Sequence, residues 1–321
     1  MIFIRRKRNG LKVKRMGRQM LMVLNPHAGK GKARDYLLDM KDLFARNGYH
    51  VTVYLTKSKQ DTIITVMDAA EYYDVLVCCG GDGTLNEVVT GLMGARRRPR
   101  LGYIPLGTTN DFASALHIPR NHMQAAQAVV SGFPVAFDVG SLNGHYFNYI
   151  AAFGAFTEVS YTTPQEAKNA LGKLAYFLQG VTRLSSIQSQ LVKVESGLVR
   201  FQEELIFGAI TNSTSVAGFQ SYRPEDISYH DGVFEALFVK QPKSFMELQA
   251  LIFALTKRDF KSHHFISFKT SHVKVLAQEP VSWTADGEYG GDYMAADIRN
   301  HPSAIEYLLP GALPERRRMS I

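Results

Sequence analysis

The chain has 321 residues, of which 45% are hydrophobic, so it is long enough for two domains with apolar cores. Its two cysteines, Cys78 and Cys79, are neighbours on one predicted strand, so their side chains face opposite ways and cannot cross-link distant segments. No apolar run reaches the length of a membrane-spanning helix, and the N-terminus lacks the pattern of a secretory signal. These features exclude an integral membrane protein and a secreted protein built on disulfides, and they predict a cytoplasmic location.

The formal net charge of +8 is concentrated at the N-terminus. Residues 1–19 contain eight lysines and arginines and no acidic residue, which accounts for the whole excess. A tail of this kind binds nucleic acid, anionic lipid or no partner at all, so its charge alone does not identify a ligand. We predict that residues 1–19 form a disordered basic tail, which a translation start at Met16 or Met20 would largely remove.

Strands and helices alternate in the first part of the chain. Apolar strands are predicted at 20–24, 51–55, 75–79 and 101–104, and helical spacing follows at 37–44, 60–72 and 85–93. This alternation predicts a parallel, doubly wound α/β sheet, with the turns that follow the strands all at the same edge.

A glycine-rich turn follows the third predicted strand. Gly80, Gly81 and Gly83 surround Asp82 and let the backbone approach a ligand, and we expect Thr84 to cap the helix whose N-terminus attracts phosphate. Neither the P-loop spelling nor the Rossmann fingerprint occurs in the chain. The turn therefore predicts a nucleotide phosphate site of another kind, and a plain strand-to-helix connection is the alternative.

Two further turns have the composition of ligand-binding loops. Residues 25–30 read Asn-Pro-His-Ala-Gly-Lys after the first strand, and residues 105–113 read Pro-Leu-Gly-Thr-Thr-Asn-Asp-Phe-Ala after the fourth. The first turn offers an amide, backbone N–H groups and a lysine to phosphate, although an ordinary Asn-Pro turn has the same spelling. In a parallel sheet, one cleft would collect all three turns.

From residue 137 the pattern changes to short alternating strands. They are predicted at 146–156, 191–195, 205–212, 233–239 and 273–276, with helical patterns at 164–189 and 243–257. We predict a mostly antiparallel β-sandwich domain at 137–302. The apolar stretch 303–309 is a candidate to rejoin the first domain, which we place at 20–136 plus about 303–311.

Four aspartates stand in turns or small-residue loops: Asp82, Asp111, Asp231 and Asp286. A lone Asp-Gly is more often a hairpin turn than a site. As a set they favour phosphoryl transfer, because that reaction needs a carboxylate to accept the proton of the attacking hydroxyl and others to hold Mg²⁺.

Four motifs together resemble the bacterial soluble diacylglycerol kinases, within the wider lipid-kinase family that includes sphingosine kinases. They are Asn25-Pro26 with Gly29, residues 80–87, residues 105–113 and Asp286-Gly287-Glu288, and the similarity runs from about residue 20 to residue 310. The resemblance implies an ATP-binding α/β domain, a β-sandwich domain for the lipid and a site between them. It further implies transfer of the ATP γ-phosphate to a lipid hydroxyl, with diacylglycerol as acceptor and phosphatidic acid as product.

Carried over position by position, the resemblance assigns a role to each matching residue. Asp286 is implied as the general base. ATP contacts are implied at Asn25, Pro26, His27, Ala28, Gly29, Lys30, Thr56, Gly80, Gly81, Asp82, Gly83, Thr84, Leu85, Asn86 and Thr108.

The resemblance also implies two magnesium sites. A structural Mg²⁺ is implied at Asp231 with the main-chain carbonyls of Ser228 and Val233. The acidic network around catalytic Mg²⁺ is implied at Asp82, Asp111 and Asp138.

The chain departs from the family at Ser114 and Gln179, where relatives can carry a basic residue, and this leaves the reaction rate and the identity of the lipid open.

Three alternatives stay open from the sequence. They are a kinase of another lipid, an NAD kinase, which shares the Gly-Gly-Asp-Gly turn, and a nucleotide-binding pseudokinase that regulates. The expected partners are a diacylglycerol-like lipid and, through peripheral contact, the anionic inner surface of the membrane. We expect no nucleic acid, and a homodimer is left open.

Overall fold

The computed structural model describes residues 17–29, 35–154, 178, 187–197, 199–212, 230–257 and 259–311. In chain order, the strands β1 to β13 span Arg18–Leu24, Tyr49–Leu55, Val75–Gly80, Arg100–Pro105, Phe133–Leu142, His145–Phe147, Ile150–Gly154, Gln190–Ser196, Val199–Thr211, Phe234–Lys240, Phe265–Thr270, His272–Ala285 and Glu288–Leu309. The helices α1 to α6 span Leu37–Arg46, Lys59–Ala69, Asp82–Gly94, Asp111–Ala115, His122–Ser131 and Phe245–Lys257, and a 3₁₀ turn spans Ala70–Tyr72.

The first part of the chain forms a parallel sheet in the order β2-β1-β3-β4. Helix α1 contacts α5, and α2 contacts α3, as expected when two helices cover each face of the sheet. The chain moves outward from β1 to β2 and then crosses back to β3, so the strand order reverses between β1 and β3. Ligands of doubly wound folds bind outside the carboxyl ends of the strands at such a reversal.

The second part of the chain is rich in antiparallel strands. Strands β7, β9, β8 and β12 pair with one another in a closed ring, and β10 and β11 extend the sheet from β9. The aromatic side chains of Phe153, Phe238 and Trp283 are fully buried in one core. Helix α6 packs Leu251 and Leu255 against Phe207 in a second core, on the opposite face of the strands.

Strand β13 joins the two parts of the molecule. It pairs antiparallel with β12 and β5, and near its end Tyr307 lies beside Leu101 of β4 in parallel register. A bulge interrupts the β5 pairing between His301 and Ile305, with Ser303 at a φ of 49°. The end of β13, from Ile305 to Leu309, therefore lies between β4 of the first sheet and the start of β5.

The predicted fold class is confirmed, with an α/β part followed by a mostly antiparallel, strand-rich part. The predicted boundary of the basic tail is wrong at residues 18 and 19, which belong to β1 because they pair with Tyr49 and His50 of β2. The single strand predicted at 146–156 is instead two strands, β6 and β7. Most of the helix predicted at 164–189, and residues 1–16, lie outside the described residues.

Candidate active site

The structure brings the three predicted turns together where the strand order reverses. Asn25 donates from Nδ2 to Oγ1 of Thr84 at 3.0 Å, which joins the first turn to the second. A Cβ added at Gly107 would lie 2.5 Å from the Cα of Gly81, so the second and third turns touch through two glycines. A Cβ at Gly29 would lie 3.1 Å from a carbonyl oxygen of the third turn.

Gly81 is the N-cap of helix α3, with a φ of −92° and a ψ of −174°. These angles suit any residue, so the need for glycine comes from the contact with Gly107, which a Cβ would approach to 3.2 Å. The prediction that Thr84 caps the helix is wrong. Thr84 is the third residue of α3, is buried, and uses its hydroxyl to accept the Asn25 amide.

Asp82 ties the second turn to the third. Its carboxylate accepts the N–H of Asp111 at 2.8 Å and the N–H of Phe112 at 3.3 Å. Burial raises the pKa of Asp82 to about 6, and the neighbouring carboxylates of Asp111 and Asp286 act in the same direction. The two hydrogen bonds oppose this shift, since they stabilise the ionised form.

Asn110 shapes the third turn, and the sequence analysis did not single it out. Its backbone has a φ of 52°, and its buried side chain accepts the N–H of Gly107 and donates to the carbonyl of the same residue. Thr108, the predicted ATP contact, is exposed between them. The sequence does contain a signal for this role, because asparagine is one of the few residues that tolerate left-handed backbone angles in a turn.

Asp286 lies in the second part of the chain, in the two-residue turn between β12 and β13. Asp286 and Gly287 have φ values of 51° and 83°, as expected for a type I′ hairpin turn. The Asp286 carboxylate accepts backbone N–H groups from Asn148 at 2.7 Å, Tyr149 at 3.0 Å and Ile150 at 3.2 Å. Burial raises the pKa of Asp286, while these hydrogen bonds lower it and do not outweigh the burial.

Two of these N–H groups come from the gap between β6 and β7, and the third belongs to Ile150, the first residue of β7. Pattern alone extended one strand through Asn148 and Tyr149, but their N–H groups turn towards Asp286 instead of a neighbouring strand. Asn148 also donates from Nδ2 to the Asp286 carboxylate at 3.0 Å, and the Tyr149 hydroxyl donates to the Asp286 carbonyl at 3.1 Å. Sequence reasoning missed both residues, because a bond to a carboxylate 137 or 138 residues away leaves no local signal.

The hairpin that carries Asp286 faces the first turn of α3. Asn86 donates from Nδ2 to the Asp286 carboxylate at 3.3 Å and to the Tyr146 carbonyl at 2.9 Å. Glu288 lies so close to Gly83 that a Cβ there would be 2.7 Å from its carboxylate, and it pairs with Lys59 at 3.6 Å. The helix that starts at the glycine turn thus contacts the predicted base directly.

Carboxylates dominate the electrostatics of the cleft. The pKa of Tyr149 is raised well above its ordinary value, first by burial and then by the charges of Asp286, Asp82, Asp111 and Glu288. Within the described residues, no three acidic or other metal-ligating side chains converge closely enough to hold an ion by themselves.

The remaining predicted residues lie elsewhere or have other contacts. Asp138 is buried, and its carboxylate accepts N–H groups of Gly232 at 2.7 Å and Ser303 at 2.7 Å and the Asn300 amide at 3.1 Å, so the structure gives it a bracing role. Asp231 is exposed in the neighbouring loop and accepts the N–H of its predicted co-ligand, Val233, at 3.3 Å. Lys30, Ser228 and Gln179 lie outside the described residues.

The backbone N–H groups of three other predicted ATP contacts donate to acceptors within the protein. The Leu85 side chain is fully buried in the core, and its N–H donates to Gly81 within the first helical turn. Thr56 is half-buried at the end of β2 and donates its N–H to the Leu24 carbonyl. His27 is exposed and donates its N–H to the Asn25 side chain at 2.9 Å. The roles of these residues stay predictions.

Comparison with known proteins gives a consistent result. Residues 19–142 match the diacylglycerol kinase catalytic domain. A diacylglycerol kinase of Bacillus subtilis (strain 168) is 37% identical over 272 residues, covering 84% of this chain and 89% of that protein. A diacylglycerol kinase of Staphylococcus aureus (strain bovine RF122 / ET3-1) is 32% identical over 307 residues, covering 95% and 96%.

The fold is also found in a crystal structure. That of a diacylglycerol kinase from Bacillus anthracis str. Sterne matches with a TM-score of 0.71 at 22% identity, covering 93% of this chain and 99% of the other. The likeness supports the fold, and the sequence relatives support the family over nearly the whole length. The resemblance inferred from the motifs is therefore confirmed, and the chain belongs to the diacylglycerol kinase family.

Proposed function

We propose that this protein is an ATP-dependent lipid kinase that phosphorylates diacylglycerol to phosphatidic acid. The observation that carries the proposal is the contact between Asp286 and Asn86, because it joins the hairpin of the strand-rich part to the helix that begins at the glycine turn. An acceptor held by the second part of the chain would meet a phosphate donor held by the first. This division into an ATP domain and a lipid domain rests on the topology and remains part of the proposal.

The three turns supply the proposed phosphate site. The contact between Gly81 and Gly107 keeps side chains away from the backbone where α3 begins. Backbone N–H groups at a helix N-terminus are suited to phosphate oxygens, and glycine allows their close approach. The amide of Asn25 braces the same helix through Thr84. These features fit a nucleotide phosphate better than a plain connection between strand and helix.

Asp286 is the proposed general base. The oxygen of the lipid hydroxyl attacks the γ-phosphorus, its proton passes to the Asp286 carboxylate, and the bond from phosphorus to the bridging oxygen breaks to release ADP. The raised pKa of Asp286 suits this role, since a more basic carboxylate accepts a proton more readily. Its three backbone N–H partners fix the direction in which it faces.

Magnesium is the proposed metal cofactor. Asp82 and Asp111 lie on adjoining turns of the cleft and offer the hard oxygen atoms that Mg²⁺ prefers. A bound Mg²⁺ would neutralise phosphate charge during transfer. Asp82 is held by the N–H groups of Asp111 and Phe112, so its carboxylate is oriented before any ion arrives.

The proposed place of action is the cytoplasmic surface of the membrane, where diacylglycerol is present. Among the described residues, no helix is long and apolar enough to cross a membrane. The basic tail supports peripheral contact with anionic lipid. A homodimer remains open, and its test is the molar mass in solution.

A panel of acceptors tests the proposal. The purified full chain is incubated with γ-labelled ATP and Mg²⁺, and separately with diacylglycerol, sphingosine or a monoacylglycerol in mixed micelles, or with NAD in solution. We expect label in phosphatidic acid when diacylglycerol is present. Label only in another lipid would show that this lipid, and not diacylglycerol, is the acceptor. Label in NADP would establish an NAD kinase. Binding of ATP without phosphate transfer would establish a nucleotide-binding regulator.

A further inference from the structure

Helix α6 exposes large apolar side chains to solvent. Phe245, Met246 and Phe253 are 51%, 83% and 64% exposed, while Leu251 and Leu255 on the other face are fully buried. Met246 and Phe253 are seven residues apart, so they lie on the same face about two turns from each other. The helix is therefore apolar on both faces, and the core explains only one of them.

Positive charge surrounds this exposed face. Lys243 precedes the helix and Lys257 ends it, both of them exposed, and Lys257 Nζ lies 5.8 Å from the centre of the Phe253 ring. Glu247 is turned back to the start of the helix, where its carboxylate accepts the Lys243 N–H at 2.6 Å. Residues 243–261 carry four lysines and arginines against two carboxylates, which gives a net charge of +2.

The core beneath α6 also reaches the strand that contacts the candidate base. The core beneath α6 includes Ala152 of β7, and Ile150 at the start of β7 packs against the same core. The N–H of Ile150 donates to the carboxylate of Asp286. The core beneath α6 thus extends to a residue that hydrogen-bonds to the proposed base.

We propose that α6 docks the protein on an anionic lipid bilayer, with Met246 and Phe253 inserted below the headgroups and Lys243 and Lys257 on the phosphates. The inference rests on the proposed function, because a lipid acceptor requires the enzyme to reach a bilayer. Amphipathic helices with lysines beside exposed aromatic residues bind in this way. Pairing with a second copy of α6 would bring like-charged lysines together, so the charge favours anionic lipid over self-association.

Paired substitutions test the docking surface. Met246→Ser combined with Phe253→Ser removes the exposed apolar groups, and Leu38→Ser combined with Ile64→Ser is the matched control, since Leu38 and Ile64 are 74% and 44% exposed on helices of the other part of the chain. Sedimentation with phosphatidylcholine vesicles containing phosphatidylglycerol should show at least about tenfold weaker binding for the α6 pair. The control pair should bind like the wild type.

A fluorescence probe gives a direct reading of insertion. Trp283 is the only tryptophan and is fully buried, so Phe253→Trp adds a second indole whose signal is separable by difference. We expect quenching of the added signal by lipids brominated on their acyl chains. Quenching by aqueous acrylamide in the presence of vesicles, with none by brominated lipid, would overturn the inference.

Each outcome bears on either the surface or the enzyme. Equal vesicle binding by the α6 pair and the wild type overturns the docking inference, even if diacylglycerol is phosphorylated. Loss of dimer mass in the α6 pair without loss of vesicle binding also overturns it and assigns the face to a second copy. Weaker vesicle binding by a protein that phosphorylates no diacylglycerol supports the docking surface and defeats the proposed function. Urea unfolding of each variant verifies that the fold is retained.

Discussion

Asp286 satisfies two requirements that its sequence context left as competing explanations. Its positive φ and the following glycine make it a hairpin turn residue, and its carboxylate also accepts N–H groups from three consecutive residues. The turn between β5 and β6 has the same geometry, with Asn143 at φ 46° and Gly144 at φ 87°. Asparagine is thus accepted at the first position of such a turn in this very chain.

Asp286→Asn therefore separates the turn from the chemistry. It keeps the turn preference of the residue but removes the group that accepts the proton. Because an amide nitrogen cannot accept the N–H groups that both carboxylate oxygens accept, urea unfolding of the variant verifies that the turn is retained. We predict that kcat for diacylglycerol falls by about 10² to 10⁴, with nearly unchanged ATP affinity. Steady-state kinetics in mixed micelles measure both values, and a near-normal kcat would transfer the role to Asp111 or Asp82.

Gly81 gives a second test at the residue scale. Its backbone angles suit any side chain, so the cost of substitution arises in the 3.2 Å approach of a Cβ to Gly107. We predict a graded rise in the ATP KM, moderate for Gly81→Ala and about tenfold or more for Gly81→Val, because the larger side chain also fills the phosphate space. ATP titrations and urea midpoints are compared for both variants. Unaltered ATP kinetics in folded Gly81→Val would contradict the nucleotide site.

Asp82 predicts a dependence of stability on pH. Because burial raises its pKa to about 6, the folded protein holds this proton more tightly than the unfolded chain. The stabilisation is complete at low pH and is lost as pH rises through about 6, by about 1 kcal/mol between about pH 5 and about pH 8. The raised pKa values of Asp286 and Glu87 act in the same direction.

Asp82→Asn cannot ionise, so we expect a smaller fall in the free energy of unfolding between the two pH values. Urea denaturation at both values gives the difference within each protein, which cancels any constant loss from the altered hydrogen bonds. A slope equal to that of the wild type would show that the Asp82 carboxylate has an ordinary pKa in the folded state.

At the scale of elements, periodic segments could be predicted and long-range contacts could not. The strand at 75–79 and the helix at 243–257 appear within two residues of their predicted bounds, because burial on one or both faces imposes a regular pattern. The break at residues 148 and 149 was missed, since its cause is a distant carboxylate. The length of β13 was also missed, because its bulge and its exposed positions interrupt the alternation.

Site residues that stand in a glycine-rich turn could be predicted from the sequence. Site residues whose position depends on a contact with a distant part of the chain could not. Glycine and aspartate in a short loop give a local signal, as at Gly81 and Asp82. Glu288 was visible only as part of a motif, and its position against α3 follows from the packing of two parts of the chain. The prediction that Thr84 is a cap failed because the helix already begins at Asp82, with Gly81 as its N-cap.

The side chain of Arg98 links the end of helix α3 to strand β13. It donates to the carbonyls of Leu92 and Met93 at the end of α3 and to the carbonyl of Ala304 on β13, at 3.2 to 3.4 Å. We predict that Arg98→Ala lowers the free energy of unfolding by about 1–3 kcal/mol, since these charge-assisted bonds satisfy helix-end carbonyls.

Arg96 provides the control, because it is exposed in the same loop, as Arg98 is, but does not bridge α3 and β13. Arg96→Ala should change stability by less than about 0.5 kcal/mol. Urea denaturation of the two variants measures both values. An equal effect of both substitutions would show that charge alone, and not the bridge from α3 to β13, stabilises this region.

For the whole molecule, the distribution of charge predicts how the protein reaches its substrate. Residues 1–16 carry seven lysines and arginines, and β1 begins at Arg18, so a truncation that preserves the sheet must end before that strand. We predict that deletion of residues 1–16 weakens binding to anionic vesicles and leaves the ATP KM unchanged, since each cation contributes up to about 1 kcal/mol near such a surface.

The salt dependence of vesicle binding distinguishes the contribution of the basic tail from that of α6. Attraction by the tail is screened as ionic strength rises, whereas insertion of Met246 and Phe253 is not. The truncated and full-length chains should therefore bind vesicles increasingly alike as salt is added. A difference that persists at high salt would show that the tail makes apolar contacts of its own.

The path of β13 also has a consequence for the order of events during synthesis. The first sheet has β4 at one edge until β13 arrives, and Ile305, Tyr307 and Leu309, each about 1% exposed, belong to the core of that sheet. A ribosome makes these residues after the rest of the strand-rich part. The usual sequence in which an N-terminal domain folds first cannot be completed here. Until β13 emerges, the nascent chain carries an open sheet edge and an unfinished core, the two features that chaperones recognise.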